Sequence, residues 1–538
     1  MVIPFDYALA LVSGALLALS FPRYGHPAFA WIALVPLLLA LTGWSGATPS
    51  IIGGRSRPLR GQAPLRAFLL GLTSGFIYFA GTLYWTGSVI RTFGGIPLPA
   101  AVLGVCLLAL YQGFFPALFA LISSRLLARG GLVAFLLAAA AWVATEFFRG
   151  VVFGGFPWVL LGDSQVTVLP VAQLASVFGV YGVSALVAFV NAAIAYAALT
   201  TRRRRVAAIA AAAIVLGGVA VWGTLRVADG TLTRSGTPIR VALIQANVAQ
   251  EDKWKSAEAR RIFSTYMAMT RDAVKQGAEY VIWPESATPF MFEQDPIGQE
   301  TLRALARELH VPILFGSDQE VIRPEPALYN AAFLVAPDGK TAAVYRKIHL
   351  VPWGEFIPMK RLLFFVSPLV DSLTDFSPGT SMVMLPVGSH LTSTAICYEV
   401  VYPSLVRQAV EAGSELLTTI TNDAWYGHSS APYQHFALAS MRAIEQGRYL
   451  ARAANTGISG VIDPYGRIVR QSGIFEQVAL VEQVRFLNGR TIYSRIGDVI
   501  AYIAIALVAI GLMATAFTNH RRIFWPSRLK TSPGATKT

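Results

Sequence analysis

Residues 392–403 read TSTAICYEVVYP: a run of strand-forming residues, a cysteine, and then a proline that opens PSLVRQAVEAG, whose apolar spacing is helical. A strand that ends in a chemically capable side chain and hands over to a helix points to an α/β sheet, which places its sites at strand ends. The cysteine, Cys397, is one of only two in 538 residues. The other, Cys106, lies inside the apolar run VLGVCLLAL, so the pair cannot form a disulfide framework. A lone cysteine can be simple packing, because free cysteines are among the most buried residue types. It can also be a nucleophile, if its surroundings favour the thiolate.

Outward from this stretch the strand and helix patterns alternate. PIRVALIQANV (238–248) is strand-like, and SAEARRIFSTYMAMTRDAVKQG (256–277) has helical spacing. AEYVIWPES (278–286) is a strand ending in a loop, TLRALARELH a helix and VPILFGSDQ a strand. ALYNAAFLVAPDGKTAAVYRKI (327–348) reads as a hairpin turning at Asp338-Gly339. Beyond Cys397 come the strand SELLTTITND, the helix QHFALASMRAIEQGRY and further strands.

Outside this α/β segment the composition changes. The whole chain is 54% hydrophobic and 14% charged, with mean hydropathy +0.52. Soluble proteins carry about 25% charged residues, so the balance indicates a membrane protein. A span needs about 20 mostly apolar residues. Candidates lie at 7–21, 28–43, 67–90, 98–122, 131–148, 168–199, 206–225 and 494–517; the first two are short and the sixth long enough to be broken at its glycines. The opening apolar run lacks a basic flank and is expected to be a span, not a cleaved signal. The expected layout is thus a membrane domain of about eight helices, seven within 1–225 and the last at 494–517, a more polar domain at 226–493, and a basic tail at 518–538.

The net charge of +14 invites a nucleic-acid reading, but its placement answers it. Segments 43–66, 123–130, 200–205 and 518–538 together hold fifteen Lys and Arg and no acid, whereas the intervening short loops hold Arg23, Arg91 and Arg149. By the positive-inside rule the first set is cytoplasmic, which puts both termini in the cytoplasm and 226–493 outside. Without those fifteen charges the chain is near neutral, so no nucleic-acid partner is expected.

A cysteine nucleophile needs a base for its proton and a donor for the oxyanion it generates. His349, His390, His428 and His435 lie in the α/β segment, as do Glu285 in VIWPES and Lys347 in YRKIHLVPWGEF. Each could equally be structural: Glu285 a turn cap, Lys347 an exposed lysine. No zinc-type Cys/His spacing, Walker loop or dinucleotide fingerprint occurs, so neither a metal nor an organic cofactor is expected. In an extracytoplasmic compartment an unpaired thiol is a liability unless it is used.

Glu285, Lys347 and Cys397, each at a strand end and in that order, resemble the Glu-Lys-Cys triad of the nitrilase (carbon–nitrogen hydrolase) superfamily. QANVAQEDKW, WPESATPF, YRKIHLVPWGEFIP, ICYEVVYP, the run TNDAWYGHSSAPYQHFALASMRAIEQGRYLARAANTGISGVIDPYGR and, in the membrane part, EFFRGVVFGGFPWVLLG look like the apolipoprotein N-acyltransferase family over nearly the whole chain. The resemblance implies an α-β-β-α sandwich on the periplasmic side of the bacterial inner membrane, catalysing the last step of lipoprotein maturation. The implied donor is a membrane phospholipid, phosphatidylethanolamine foremost, and the implied acceptor the N-terminal amine of an S-diacylglyceryl-cysteine apolipoprotein. It also implies that Glu285 is the base, that Lys347 stabilises the oxyanion and favours the thiolate, and that Cys397 carries the acyl group. Trp254, Glu355, Tyr398 and Glu399 carry over as supporting residues, with Glu355 orienting Lys347 or Glu285.

Three further readings complete the expectations. LLFFVSPLV (362–370) is read as a lid or membrane-touching arm over the acyl chain, or else as a core segment. Glu146 and Arg149, three apart, are read as a local ion pair near the interface. Asn422 and Asp423 are placed in a loop that walls the pocket. The rivals are a membrane-tethered amidohydrolase using the same triad and a transporter or receptor with a binding domain. The absence of Asp, Glu and Lys between 67 and 145 argues against the transporter, since intramembrane ionisable residues mark a substrate path.

Overall fold

The computed structural model describes residues 4–44, 61–322, 326–356 and 375–524, with side chains to residue 517. The proposed arm at 362–370, most of the basic segment 43–66 and most of the basic tail lie outside these.

Among the described residues six helices are long and apolar enough to cross a membrane: Pro64–Leu83, Leu98–Leu127, Leu132–Gly154, Ala175–Ala198, Arg202–Arg234 and Val499–Phe517. At the first two expected spans stand shorter apolar helices, Phe5–Ala18 and Pro27–Leu41. A 14-residue helix rises only about 21 Å, short of the roughly 30 Å hydrocarbon core, so eight apolar elements contain six full-length ones. The long sixth candidate is indeed interrupted: Gly179, at φ 67°, kinks the helix Ala175–Ala198. Arg202–Arg205 form the first turn of a helix instead of a loop.

The polar part is built on two six-stranded sheets. The first runs β12-β1-β2-β3-β4-β5, with β1 Thr237–Gln245, β2 Tyr280–Ile282, β3 Ile313–Val321, β4 Ala327–Val335, β5 Thr341–Arg346 and β12 Val478–Phe486. The second runs β11-β10-β9-β8-β7-β6, with β6 Leu385–Val387, β7 His390–Ile396, β8 Leu416–Thr421, β9 Leu450–Ala454, β10 Gly460–Ile462 and β11 Ile468–Gln471. β1-β2-β3 and β7-β8-β9 pair in parallel, and parallel strands are buried on both faces.

The period of two in β1 shows how the layers stack. Val241 and Leu243 face a core shared with Ile396, Ile420 and Ala451 of the second sheet, so the sheets pack face to face. Ala242 and Ile244 face the other way, onto Ile262 and Leu302 of the helices Ser256–Lys275 and Pro296–Leu309. On the far side of the second sheet, Leu417 and Leu450 pack with Val406 of the helix Pro403–Glu411 and Leu438 of the helix Ala431–Gln446. The order is α-β-β-α, as the sequence implied.

That last helix layer also meets the membrane helices. Gln434 donates to the carbonyls of Pro22 (3.1 Å) and Thr82 (3.3 Å) and accepts from the indoles of Trp158 (2.8 Å) and Trp85 (3.3 Å). Farther along the same helix, Glu445 accepts from the backbone N–H of Val180 at 2.8 Å. A fully buried amide engaging four partners fixes the polar domain's position on the bundle, because a shift would orphan buried polar groups.

Candidate active site

Three strand ends converge on Cys397. Glu285 lies three residues beyond β2, Lys347 directly follows β5, and Cys397 directly follows β7. All three are buried, at 7%, 1% and 5% exposure.

Glu285 is held from every side. Its Oε1 accepts from the Asn330 side chain at 2.8 Å, and its Oε2 accepts from the backbone N–H of Asn422 at 2.9 Å. Its own carbonyl accepts from the ammonium of Lys253 at 3.1 Å. The backbone turns sharply here, with Ser286 at φ 44°, and lies against Gly316 of β3. A Cβ on Gly316 would fall 2.7 Å from the Glu285 Cα, so only glycine permits this approach.

Lys347 Nζ stands 2.8 Å from Glu355 Oε1 and 3.5 Å from Glu285 Oε1. Burial opposes its charge, but the carboxylates of Glu355 and then Glu285 outweigh it and hold the ammonium well above the usual lysine range. Asn330 bridges the two acids, donating also to Glu355 at 2.9 Å, and Glu355 Oε2 accepts from the Val351 N–H at 2.8 Å. Glu355 therefore touches Lys347 directly and Glu285 through Asn330.

Cys397 sits at φ 52°, in the left-handed region that a non-glycine residue occupies at a cost. Two contacts keep it there. Glu399 Oε2 accepts from the Ile396 N–H at 2.7 Å, and His435 Nε2 lies 3.1 Å from the Cys397 carbonyl oxygen. Since a carbonyl only accepts, Nε2 carries a hydrogen, while Nδ1 lies 3.0 Å from both Arg452 and the Asp423 carboxylate. Arg452 also pairs with Asp423 at 2.8 Å, and all three side chains are fully buried. Burial alone would raise Asp423, but Arg452 and then His435 hold it at about 2. Burial, then Arg452, lowers His435, against the opposing pull of Asp423.

The thiol itself is pushed up to about 12, by burial first and the Glu285 charge second; Lys347 pulls it down by less. Lys347 does act toward the thiolate, the direction the resemblance implied, but the desolvation of a buried thiol exceeds what one ammonium returns.

Glu399 ties two strand ends together. Besides Ile396 it accepts from the Tyr345 hydroxyl (2.9 Å) and the N–H groups of Ile348 (2.7 Å) and His349 (3.1 Å). Tyr398 lies under the membrane-side loop, its ring 6.4 Å from Trp158 and 6.0 Å from Phe156. The neighbouring Tyr402 donates its hydroxyl to the Gly155 carbonyl at 3.0 Å. Trp254 is half exposed, at 51%.

Glu146 and Arg149 form the expected local pair, but it does more than that. Both are buried and 4.0 Å apart, and each holds the following loop: Arg149 donates to the carbonyls of Phe156 (2.9 Å) and Trp158 (2.8 Å), and Glu146 accepts from the Leu161 N–H (2.6 Å). A loop carbonyl row within the bundle needs donors, which Arg supplies in a fork.

Residue type and spacing did not single out Lys253, Asn330, Arg452 or the anchoring role of His435. Lys253 sits between Asp252 and Trp254 in a polar stretch and reads as surface; only the fold buries it.

Residues 240–485 match the carbon-nitrogen hydrolase family, and residues 13–193 match the apolipoprotein N-acyltransferase N-terminal domain. The apolipoprotein N-acyltransferase of Geobacter metallireducens is 38% identical over 523 residues, 95% of each chain. Those of Methylococcus capsulatus and Shewanella oneidensis are 34% and 32% identical, covering 96% of both chains and 91% and 92% respectively.

Proposed function

The chain belongs to the apolipoprotein N-acyltransferase family, and from that premise we propose that its lipoprotein N-acylation runs through a thioester on Cys397. Glu285 takes the thiol proton as sulfur attacks the acyl carbonyl of a phospholipid. The oxyanion is met by the Lys347 ammonium, whose three N–H donors face two carboxylates, Glu355 and Glu285, among the described residues. The intermediate collapses, the glycerol oxygen leaves, and Glu285 returns the proton to it. In the second half the α-amine of the diacylglyceryl-cysteine attacks the thioester, Glu285 takes the amine's proton, and the expelled sulfur recovers it as an amide forms.

Phosphatidylethanolamine is the proposed donor. We read 1–225 and 494–517 as the membrane domain and 226–493 as the catalytic domain, the latter on the periplasmic side with both termini cytoplasmic, as the distribution of fifteen basic residues supports.

The observation that carries the reading is the contact of Tyr398 and Tyr402, directly after the nucleophile, with the membrane-side loop Gly155–Trp158. A nucleophile packed against bundle residues is placed for a lipid donor, whereas a small soluble amide needs no such neighbour. The test is peptide mass spectrometry after incubation with phosphatidylethanolamine vesicles. A hydroxylamine-sensitive acyl mass on the Cys397 peptide, absent in Cys397→Ala, is expected. Folded protein without that adduct but releasing ammonia from small amides would favour the tethered amidohydrolase.

A further inference from the structure

Lys253 and Lys347 are the two lysines buried among the described residues, and the reaction as described uses only Lys347. Lys253 is 5% exposed, and its ammonium donates to the Glu285 carbonyl at 3.1 Å. The carboxylates that act on it are Glu285, then Asp318, with Cys397 also within reach. It therefore stands against the backbone of one reacting residue and within electrostatic reach of the other.

The charge balance around Glu285 shows what it does there. Facing Glu285 are Lys347 and Glu355 from the segment after β5, Asp318 from β3, Cys397 after β7 and Tyr426 after β8, with Asp423 acting on Cys397 and Tyr426. Asp423 is already matched by Arg452. Of the rest, Lys347 lies between two carboxylates, Glu285 and Glu355. Asp318 adds a third carboxylate, so without Lys253 one ammonium would face three acids, and such a site takes up protons instead of staying fully ionised. A proton resting on Glu285 would disable it as a base.

We propose that Lys253 is a positioning residue for the acyl transfer: its ammonium anchors the Glu285 carbonyl and supplies the second positive charge that keeps the Glu285 carboxylate ionised. The inference rests on the reading of Glu285 as base. Burial lowers Lys253 to about 8 and raises Asp318 to about 6, as expected for charges held at a desolvation cost. The anchor also bears on the turn where Ser286 takes φ 44°, a backbone state that needs outside support.

The experiment uses the full chain in detergent micelles and reads the pH profile of Cys397 alkylation by iodoacetamide, followed by peptide mass spectrometry. Lys253→Met is expected to move the acidic limb up by about one pH unit or more, with Lys253→Arg keeping the limb near the wild-type position. Should the methionine variant fail to fold, Lys253→Gln carries the same expectation. A neutral variant that lowers the plateau without moving the limb, or an arginine variant that moves it as far as methionine does, overturns the proposal. Running acyl-adduct formation alongside separates the two readings: wild type that alkylates normally but forms no acyl adduct counts against the proposed reaction, while the limb shift still decides Lys253.

Discussion

The Nε2 of His435 lies 3.1 Å from the carbonyl oxygen of Cys397, and the imidazole is backed in turn by Arg452 and Asp423. The helix that seats the polar domain on the membrane bundle through Gln434 thus also holds, one residue on, the strained backbone of Cys397. His435→Ala removes that anchor and frees Cys397 to relax from φ 52°. With about 1–3 kcal/mol stored in such a conformation, acyl-adduct formation should slow roughly 10- to 100-fold in single turnover. His435→Gln, which can still donate, should recover part of the rate, and an alanine variant at wild-type speed would remove the anchor from the account.

The raised thiol makes a pH prediction with a definite sign. Below its value of about 12 the thiol is protonated at rest, so a base must act, and Glu285→Gln should cut adduct formation by roughly 10²–10⁴ near neutrality. Without the base only the thiolate fraction reacts, and that fraction rises tenfold per pH unit below the thiol's own value. Alkylation of Cys397 in the glutamine variant should therefore climb with a slope of about one between pH 7 and 9. A flat profile there would show that Glu285 is not what limits the thiol.

Glu399 should prove a stability residue before a chemical one. An amide in its place cannot accept on both sides, so Glu399→Gln sets N–H against N–H either at Ile396 or at Ile348 and His349. An orphaned buried donor costs about 1–3 kcal/mol, and thermal unfolding in detergent should fall measurably. Unchanged unfolding would mean the strand ends are held by other contacts.

Arg149 should affect the lipid step selectively. Lysine cannot reproduce the fork onto the Phe156 and Trp158 carbonyls, so Arg149→Lys should loosen the loop that packs on Tyr398. Acyl-adduct formation from phospholipid should drop roughly five- to tenfold, the equivalent of about one hydrogen bond. Iodoacetamide, which needs no lipid contact, should alkylate Cys397 at the wild-type rate. Equal losses in both assays would count against a loop role confined to the lipid.

The sequence alone determined whatever depends on local pattern: the alternation of strands and helices in 226–493, the Asp338-Gly339 hairpin and the membrane character of the flanks. It also placed Glu285, Lys347 and Cys397 at strand ends, because the motifs around them are short and contiguous. Only the tertiary structure decided how those ends are held. The thiol's direction of shift, the burial of Lys253 and the His435–Arg452–Asp423 brace arise between segments tens to hundreds of residues apart. Desolvation and hydrogen-bond satisfaction depend on what surrounds a group in space, and no period or spacing along the chain encodes that.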